Sequence, residues 1–400
     1  MADAPKIEKI EDLVSQYIDK HKKIIKTSIS RLTQPGDNYG SEMMRVDMVL
    51  KDEKSKEEEL HVVAKMIPES DFFKEIFNVQ VSFVSEMRFY DTVVPVLEDF
   101  RRRQGAKVKD IYPKFYGGRK NLNGMEGPVD ANAVLLMDNI KTKGFGNLDR
   151  HKGFDMKSTK AILEVIAYFH ATPLALKLME PETFEKKVKP HLACFLEHKK
   201  PEKDDNFEEN YVSFISECKE CAPALPMVKK CIEKSEYMKV ENFREPFSTI
   251  VHKDIWVNNI MVKFCESDVN IKLVDFQFYS YDSPVDDLMF FLMTSVPLDL
   301  LKSHLDDFLQ CYHKCFIQVL EELKCSTVGF GYDKFIEEIK ENIENIVVHS
   351  LWFLPMVIFT EKGKKADIEN NKIQVSPLAK EKILWMVQEF YERGWFDKLR

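Results

Sequence analysis

Glycine is scarce in this chain, 14 of 400 residues, about half its usual share of roughly 7%. Folds built from many tight turns draw on glycine for left-handed backbone, so the shortage favours long helices. Positive charge is not concentrated anywhere: Asp and Glu outnumber Lys and Arg by 66 to 58, for a net charge of −8. A nucleic-acid binder usually carries a basic stripe, and the longest basic run, Arg101-Arg102-Arg103, reads as the solvated end of a helix. Long apolar runs are missing as well. Those around 285–301 and 350–360 each hold a proline, and neither reaches the ~18 uninterrupted apolar residues of a membrane span. The first 26 residues carry charges throughout, unlike a secretory signal. Eight cysteines lie between positions 194 and 325 of a long chain, where a disulfide framework is not expected. Neither Cys218-x-x-Cys221 nor Cys311-x-x-x-Cys315 has the further ligands of a zinc site. These absences predict a soluble, cytoplasmic protein that binds neither nucleic acid nor membrane, with no protein partner evident.

What is present has the composition of a globular protein, 44% hydrophobic and 31% charged, and a length that fits two or three compact units. The first third reads as a small mixed lobe with element order β-β-β-α-β-β. Ile24–Leu32 is a candidate strand. After the turn signal Pro35-Gly36-Asp37-Asn38-Tyr39-Gly40, Met44, Val46, Met48 and Leu50 alternate with Arg45 and Asp47, the period of a half-buried strand. A charged connection, Lys51–Glu59, leads to a valine-rich strand at Leu60–Ile67. Ile76, Val79, Phe83, Met87, Tyr90 and Val94 then mark one face of a long helix that ends between Pro95 and Gly105. Pro113–Gly117 and Ala131–Met137 complete the strands, and Met137–Gly146 links to the second part. From Asn139 onward the pattern is mainly helical. Ser158–His170 is a helix expected to stop before Pro173, and Phe207–Cys221 and Met227–Val240 are further helices. Ile260–Phe264 and Val269–Val274 form a hairpin, and the chain after Pro284 is mostly helical. The predicted division is 1–138 and 139–400.

The most telling stretch is His252-Lys253-Asp254-Ile255-Trp256-Val257-Asn258-Asn259, followed by Asp275-Phe276-Gln277. It reads as H-x-D-x-x-x-x-N and then D-F. A carboxylate at Asp254 can accept or orient the proton of an attacking hydroxyl. Asn259 precedes the hairpin and Asp275 follows it, so the fold-back brings both to one place, where their oxygens suit Mg²⁺. Asn258 competes for the metal role, but spacing favours Asn259. His252 reads as a structural holder of the loop.

Lys65 interrupts the apolar run Val62-Val63-Ala64-Lys65-Met66-Ile67. Such a cation either snorkels to solvent or is paired inside a cleft, where it would contact nucleotide phosphates. Glu86, beside the buried stripe of the long helix, is its natural partner; Glu75 and Glu98 lie nearer the helix ends. The segment Gly36-Asp37-Asn38-Tyr39-Gly40-Ser41 is either an ordinary hairpin turn or a loop closing over phosphates with its backbone N–H groups. Met137, Asp138 and Asn139 lie where the two parts join, placed to receive an adenine edge or simply to end a strand. Asp286 and Asp287 open a helical run; Asp287 either serves the helix dipole or hydrogen-bonds the backbone of the 252–259 loop.

Together, the runs His252–Met261 (H-K-D-I-W-V-N-N-I-M) and Lys272–Gln277 (K-L-V-D-F-Q), the segment Ser283-Pro284-Val285-Asp286-Asp287-Leu288 and Phe169-His170-Ala171 resemble the aminoglycoside and choline phosphotransferases. More closely, over about residues 30–360, they resemble the ecdysteroid kinase-like (CHK kinase-like) family. The resemblance implies an α+β, two-lobed protein-kinase-like fold with a small β-rich N-lobe and a larger, mainly helical C-lobe. It also implies ATP- and Mg²⁺-dependent phosphorylation of a hydroxyl on a small molecule, such as an ecdysteroid or a hydroxylated xenobiotic. It carries Asp254 over as catalytic base, Asn259 and Asp275 as metal ligands, and Lys65 with Glu86 as the phosphate-positioning pair. Many relatives have glycine where this chain has Lys253; the lysine either alters the loop backbone or touches the transferred phosphate.

A protein acceptor is disfavoured. Only twelve positions separate Asp275 from Asp287 and no A-P-E follows, which leaves no long activation segment. Phe276, Tyr279, Tyr281, Phe290, Phe291, Trp352 and Phe353 could line an apolar acceptor site or belong to the core. Two rival readings are a catalytically silent binding protein for an apolar ligand and a choline- or aminoglycoside-type kinase.

Overall fold

The computed structural model describes residues 6–32, 40–192, 205–234, 244–359 and 375–400. A short helix α1 (Ile10–Val14) precedes an antiparallel sheet of β1 (Lys23–Arg31), β2 (Glu42–Lys51), β3 (Glu57–Met66), β4 (Phe115–Arg119) and β5 (Val134–Asp138), in spatial order β1-β2-β3-β5-β4. The alternation in β2 produces its two faces: Met44, Val46, Met48 and Leu50 are buried and Arg45 is exposed. Lys65 of β3 lies opposite Met43 on one side and Leu135 on the other, which puts a charged side chain in the middle of the sheet.

The expected long helix is real but begins later. Ile76 ends a separate helix, α2 (Asp71–Ile76), and is 42% exposed. Asn78, with φ 40°, restarts the chain as α3 (Val79–Arg88), which continues through a π-turn at Phe89–Val93 into α4 (Val94–Arg103). The π-turn falls just before Pro95, whose missing N–H and bulky ring do not fit a regular i−4 turn.

The second lobe contains α5 (Met156–Met179), α6 (Pro181–Lys187), α7 (Asp205–Glu217), α8 (Leu225–Lys234), β6 (Thr249–Val251), β7 (Ile260–Phe264), β8 (Val269–Leu273), β9 (Ser280–Asp282), α9 (Pro284–Ser295), α10 (Leu298–Glu322), α11 (Tyr332–Glu341), α12 (Ile343–Phe359) and α13 (Pro377–Glu392). The fold is therefore α+β and two-lobed, as expected. Helix α5 corrects the expectation that Pro173 ends it: the helix continues to Met179 with Pro173 inside. The hydroxyls of Thr172 and Thr249 donate to the carbonyls of Tyr168 and His170, each at 2.8 Å, on either side of the Phe169 carbonyl to which the proline cannot donate. Burial of nearly every residue from Ile162 to Leu176 does the rest. By length and composition α5 could cross a bilayer, yet 78% of its most apolar window is buried in the fold. Residues 235–240 of the expected helix Met227–Val240 lie outside the described residues.

One continuous apolar core joins the α3–α4 segment to the second lobe, from Phe89 and Phe100 through Phe169, Phe276 and Phe291 to Phe396. The sheet has its own small core around Val46, Val62 and Leu136 beneath α1.

Candidate functional site

Strand β6 delivers the chain to His252, and the loop 252–259 hands it to the β7–β8 hairpin. Ile260 pairs with Leu273, and the Val274 N–H donates to the Asn259 carbonyl at 3.0 Å, so the hairpin returns Asp275 to the side of Asn259. The Asn259 amide nitrogen donates to the Asp254 carbonyl at 2.8 Å and to Asp254 Oδ2 at 2.7 Å. That engages the amide nitrogen and leaves Oδ1 as the side-chain atom that could take a cation. Asp254 Oδ1 is buried with no hydrogen-bond partner among the described residues. Burial, then the charge of Asp275, holds the Asp254 carboxyl well above the usual range, against the pull of Asn259.

The loop is held from behind. His252 is fully buried; its Nε2 donates to the Val274 carbonyl at 3.0 Å while Nδ1 accepts from the Asp254 N–H at 3.3 Å, so the ring is neutral. Burial lowers its pKa accordingly. Asp287 accepts from the backbone N–H of His252 at 2.5 Å, from that of Lys253 at 2.8 Å, and lies 3.1 Å from His170 Nε2. The sharper of the two readings of Asp287 therefore holds. Tyr312 completes the chain, 2.8 Å from His170 Nδ1.

From the sheet side, Lys65 Nζ reaches Glu86 Oε2 at 2.5 Å and Asp275 Oδ1 at 2.7 Å. The lysine and glutamate side chains are almost wholly buried and that of Asp275 is 18% exposed. Burial works against the ammonium, but Asp275 and Glu86 outweigh it and hold the Lys65 pKa above its ordinary value. Burial pushes Glu86 up to about 7, with Lys65 pulling the other way. Two stretches 210 residues apart thus meet at one ammonium.

Lys253 and Asp275 both have left-handed backbone, φ 67° and 68°, at about 1–2 kcal/mol each for a side-chain-bearing residue. Lys253 Nζ does not point to solvent. It lies 2.5 Å from Asp282 Oδ2 and 3.0 Å from Asp286 Oδ2.

Gly36, Asp37 and Asn38 lie outside the described residues. Gly40 closes that segment against the site: a Cβ there would sit 3.2 Å from Gln277 Nε2 and 3.5 Å from Phe77. Ser41 is buried beside it. Phe77 stacks on Phe278, 5.9 Å between centroids, bridging the first lobe to the segment after Asp275. At the lobe junction Met137, Asp138 and Asn139 are buried. The N–H groups of Asp138 and Asn139 already donate to Lys114 and His61 carbonyls, at 2.8 and 3.0 Å, so they do not offer a nucleobase donors. The Asp138 carboxylate pairs with Lys143 at 2.5 Å, and Asn139 Oδ1 is a buried acceptor lacking a partner among the described residues. Of the aromatics singled out, Phe276, Tyr279, Phe290 and Phe291 are core. Phe276 stacks on Phe89 at 3.8 Å. Tyr281, Trp352 and Phe353 are partly exposed.

No group of three or more His, Cys, Asp or Glu side chains among the described residues forms a ready metal cage. An oxygen pair, Asn259 Oδ1 and the Asp275 carboxylate, beside the unpartnered Asp254 Oδ1, fits a hard cation that takes its other ligands from phosphate and water. The partners of Lys253 escaped sequence reasoning. Its place between the motif His and Asp was the signal; which acids it would meet was not written in any spacing.

The ecdysteroid kinase-like family model matches residues 35–325. No curated protein sequence matches the chain. Solved structures similar to it include a Plasmodium vivax ethanolamine kinase, 12% identical over 92% of this chain and 84% of that one, TM-score 0.41. A microcompartment-associated aminopropanol kinase is 9% identical over 96% and 98%, TM-score 0.43. A choline kinase from Streptococcus pneumoniae is 10% identical over 85% and 98%, TM-score 0.32.

Proposed function

The chain belongs to the ecdysteroid kinase-like family, and from that membership and the site's geometry we propose that it transfers the γ-phosphoryl group of ATP to a hydroxyl of a small molecule. The observation that carries this reading is the ammonium of Lys65 between Glu86 and Asp275, beside a buried, unpartnered Asp254 Oδ1. A phosphoryl transfer needs little covalent help and much positioning and charge neutralisation. Lys65, kept cationic by its two carboxylates, orients the phosphates. Asp254 Oδ1 accepts the hydroxyl proton as the acceptor oxygen bonds to the γ-phosphorus. The bond from that phosphorus to the bridging oxygen breaks, and ADP leaves with the electron pair. Mg²⁺, held by Asn259 Oδ1 and Asp275, would neutralise charge on the phosphate oxygens. Asn259 fixes the Asp254 rotamer through Oδ2, which turns Oδ1 to the acceptor.

The acceptor we propose is a neutral alcohol such as an ecdysteroid or a hydroxylated xenobiotic, in keeping with the family and with the partly exposed Tyr281, Trp352 and Phe353. Incubating the protein with ATP, Mg²⁺ and a panel of ecdysteroids, hydroxylated foreign compounds, amino alcohols and aminoglycosides, and reading phosphorylated products by mass spectrometry, tests it. The expected result is a phosphorylated neutral alcohol, with the rate lowered roughly 10³-fold or more in Asp254→Ala. Tight binding of a ligand without turnover of any acceptor would instead assign a carrier.

A further inference from the structure

We propose that Lys253 is a positioning residue whose ammonium, clamped between Asp282 and Asp286, holds the 252–259 loop in the left-handed turn that presents Asp254. The inference rests on the phosphotransfer reading for what Asp254 does, but the clamp itself stands on geometry. Residue 253 sits between a fixed ring and a working carboxylate: His252 is anchored at Val274, and Asp254 follows. With φ at 67°, the backbone at 253 occupies a region that side-chain-bearing residues leave readily. Relaxation of that torsion would swing the next residue, and with it the carboxylate. Glycine would take the torsion without strain but could not resist its loss. Lysine accepts the strain and supplies a tie.

The tie is well placed. Asp282 ends β9, which pairs with β6 immediately before the loop, Thr249 opposite Asp282. Asp286 lies in the first turn of α9, next to Asp287, which binds the backbone N–H of Lys253 at 2.8 Å. One residue is therefore gripped at its backbone and at the far end of its side chain. The Lys253 side chain is 14% exposed and that of Asp286 only 5%, so the pair is not a solvated surface contact. Drawing the ammonium away to a phosphate would strand two acids, and the Oδ1 of one, Asp286, already lacks a partner among the described residues. Of the two sequence readings of Lys253, the geometry favours the effect on the loop backbone.

Hydrogen exchange of peptides covering 252–258, measured on the whole protein, reads the clamp without needing turnover. In Lys253→Met the loop amides should exchange about tenfold faster or more than in the natural protein. Lys253→Arg should restore protection. With an accepted alcohol, kcat of Lys253→Met should fall roughly 10- to 100-fold with the KM for ATP nearly unchanged. If Lys253→Met does not fold, Asp282→Asn removes one of the two ties and should show the same changes in smaller size. Unchanged loop exchange in both variants overturns the proposal, as does an effect confined to the KM for ATP, which would make Lys253 a phosphate contact. Should no acceptor be turned over by the natural protein, the phosphotransfer reading falls while the exchange data still decide the clamp.

Discussion

Asp287 shows how one side chain can carry a loop. Burial opposes its charge, yet hydrogen bonds from His170 and from the backbone of the loop hold its pKa below the ordinary value. Asp287→Ala would leave two backbone N–H groups and an imidazole without their acceptor; we expect a loss of about 2–4 kcal/mol in urea unfolding and a fall in kcat. Asp287→Asn should cost less, because it keeps one acceptor oxygen. Lys65→Met should lower kcat/KM for ATP by roughly 10²-fold or more, since no other cation meets both Glu86 and Asp275 among the contacts described. At this scale the sequence was legible where spacing encodes proximity. The five residues from Asp254 to Asn259 and the hairpin before Asp275 could be read because a hairpin returns its ends to each other. Lys65 and Glu86 could be read because burial forces charges to pair. Lys253 with Asp282 and Asp286 could not, because the pairing depends on how β9 and the first turn of α9 sit beside the loop.

Secondary structure followed pattern wherever burial had a period. Strand β2 alternates because one face packs beneath α1, and the β7–β8 hairpin falls within a residue of its expected bounds. Pattern failed where tertiary contacts supplied what the backbone lacked, as at Pro173. Gly153 is a similar case of local chemistry serving a distant element. Its φ is 67° and a Cβ there would come 2.5 Å from the Ser295 carbonyl, while Ser295 Oγ accepts from the Val257 N–H of the loop at 3.0 Å. Gly153→Ala should destabilise by roughly 2 kcal/mol or more and lower kcat through Ser295, checked by thermal unfolding and steady-state rates. Helix α13 offers a test in pH. Lys382 is buried, donates to the Val296 carbonyl at 2.6 Å, and burial lowers its pKa from 10.5 to about 7. Between those values the unfolded chain holds a proton that the folded chain lacks, so this lysine's contribution to stability rises with pH. Below pH 7 both states are charged and the full burial cost remains. Stability of the natural protein relative to Lys382→Met should therefore increase from pH 7 to 10, by at most about 1.4 kcal/mol per unit, and stay flat from pH 5 to 6.

At the scale of the molecule, the sheet is the smaller body and the α3–α4 segment is what welds it to the rest. Arg101, near the end of α4, is buried; it donates to the Lys107 carbonyl at 2.9 Å and to Thr172 Oγ1 at 3.2 Å, and its guanidinium covers Tyr168. Its pair with Glu322 involves a half-exposed carboxylate and adds little. Arg101→Ala should cost about 2–3 kcal/mol in chemical denaturation through the lost buried contacts. The two-lobed plan was legible from the change of period near Asn139 and from the family's motifs, whereas the continuity of the core across α4 and α5 was not, since it depends on faces that only meet in space. The β7–β8 hairpin is fastened to the lobe junction by reciprocal hydrogen bonds between Gly146 and Val262, at 2.9 and 2.8 Å. Asp254, Asn259 and Asp275 are accordingly carried by the hairpin and its loop, while Lys65 comes from β3 of the sheet and Glu86 from α3. A shift of β3 that drew Lys65 off Asp275 would leave that carboxylate without the cation it meets here, so the charge presented by the site depends on where the strand sits.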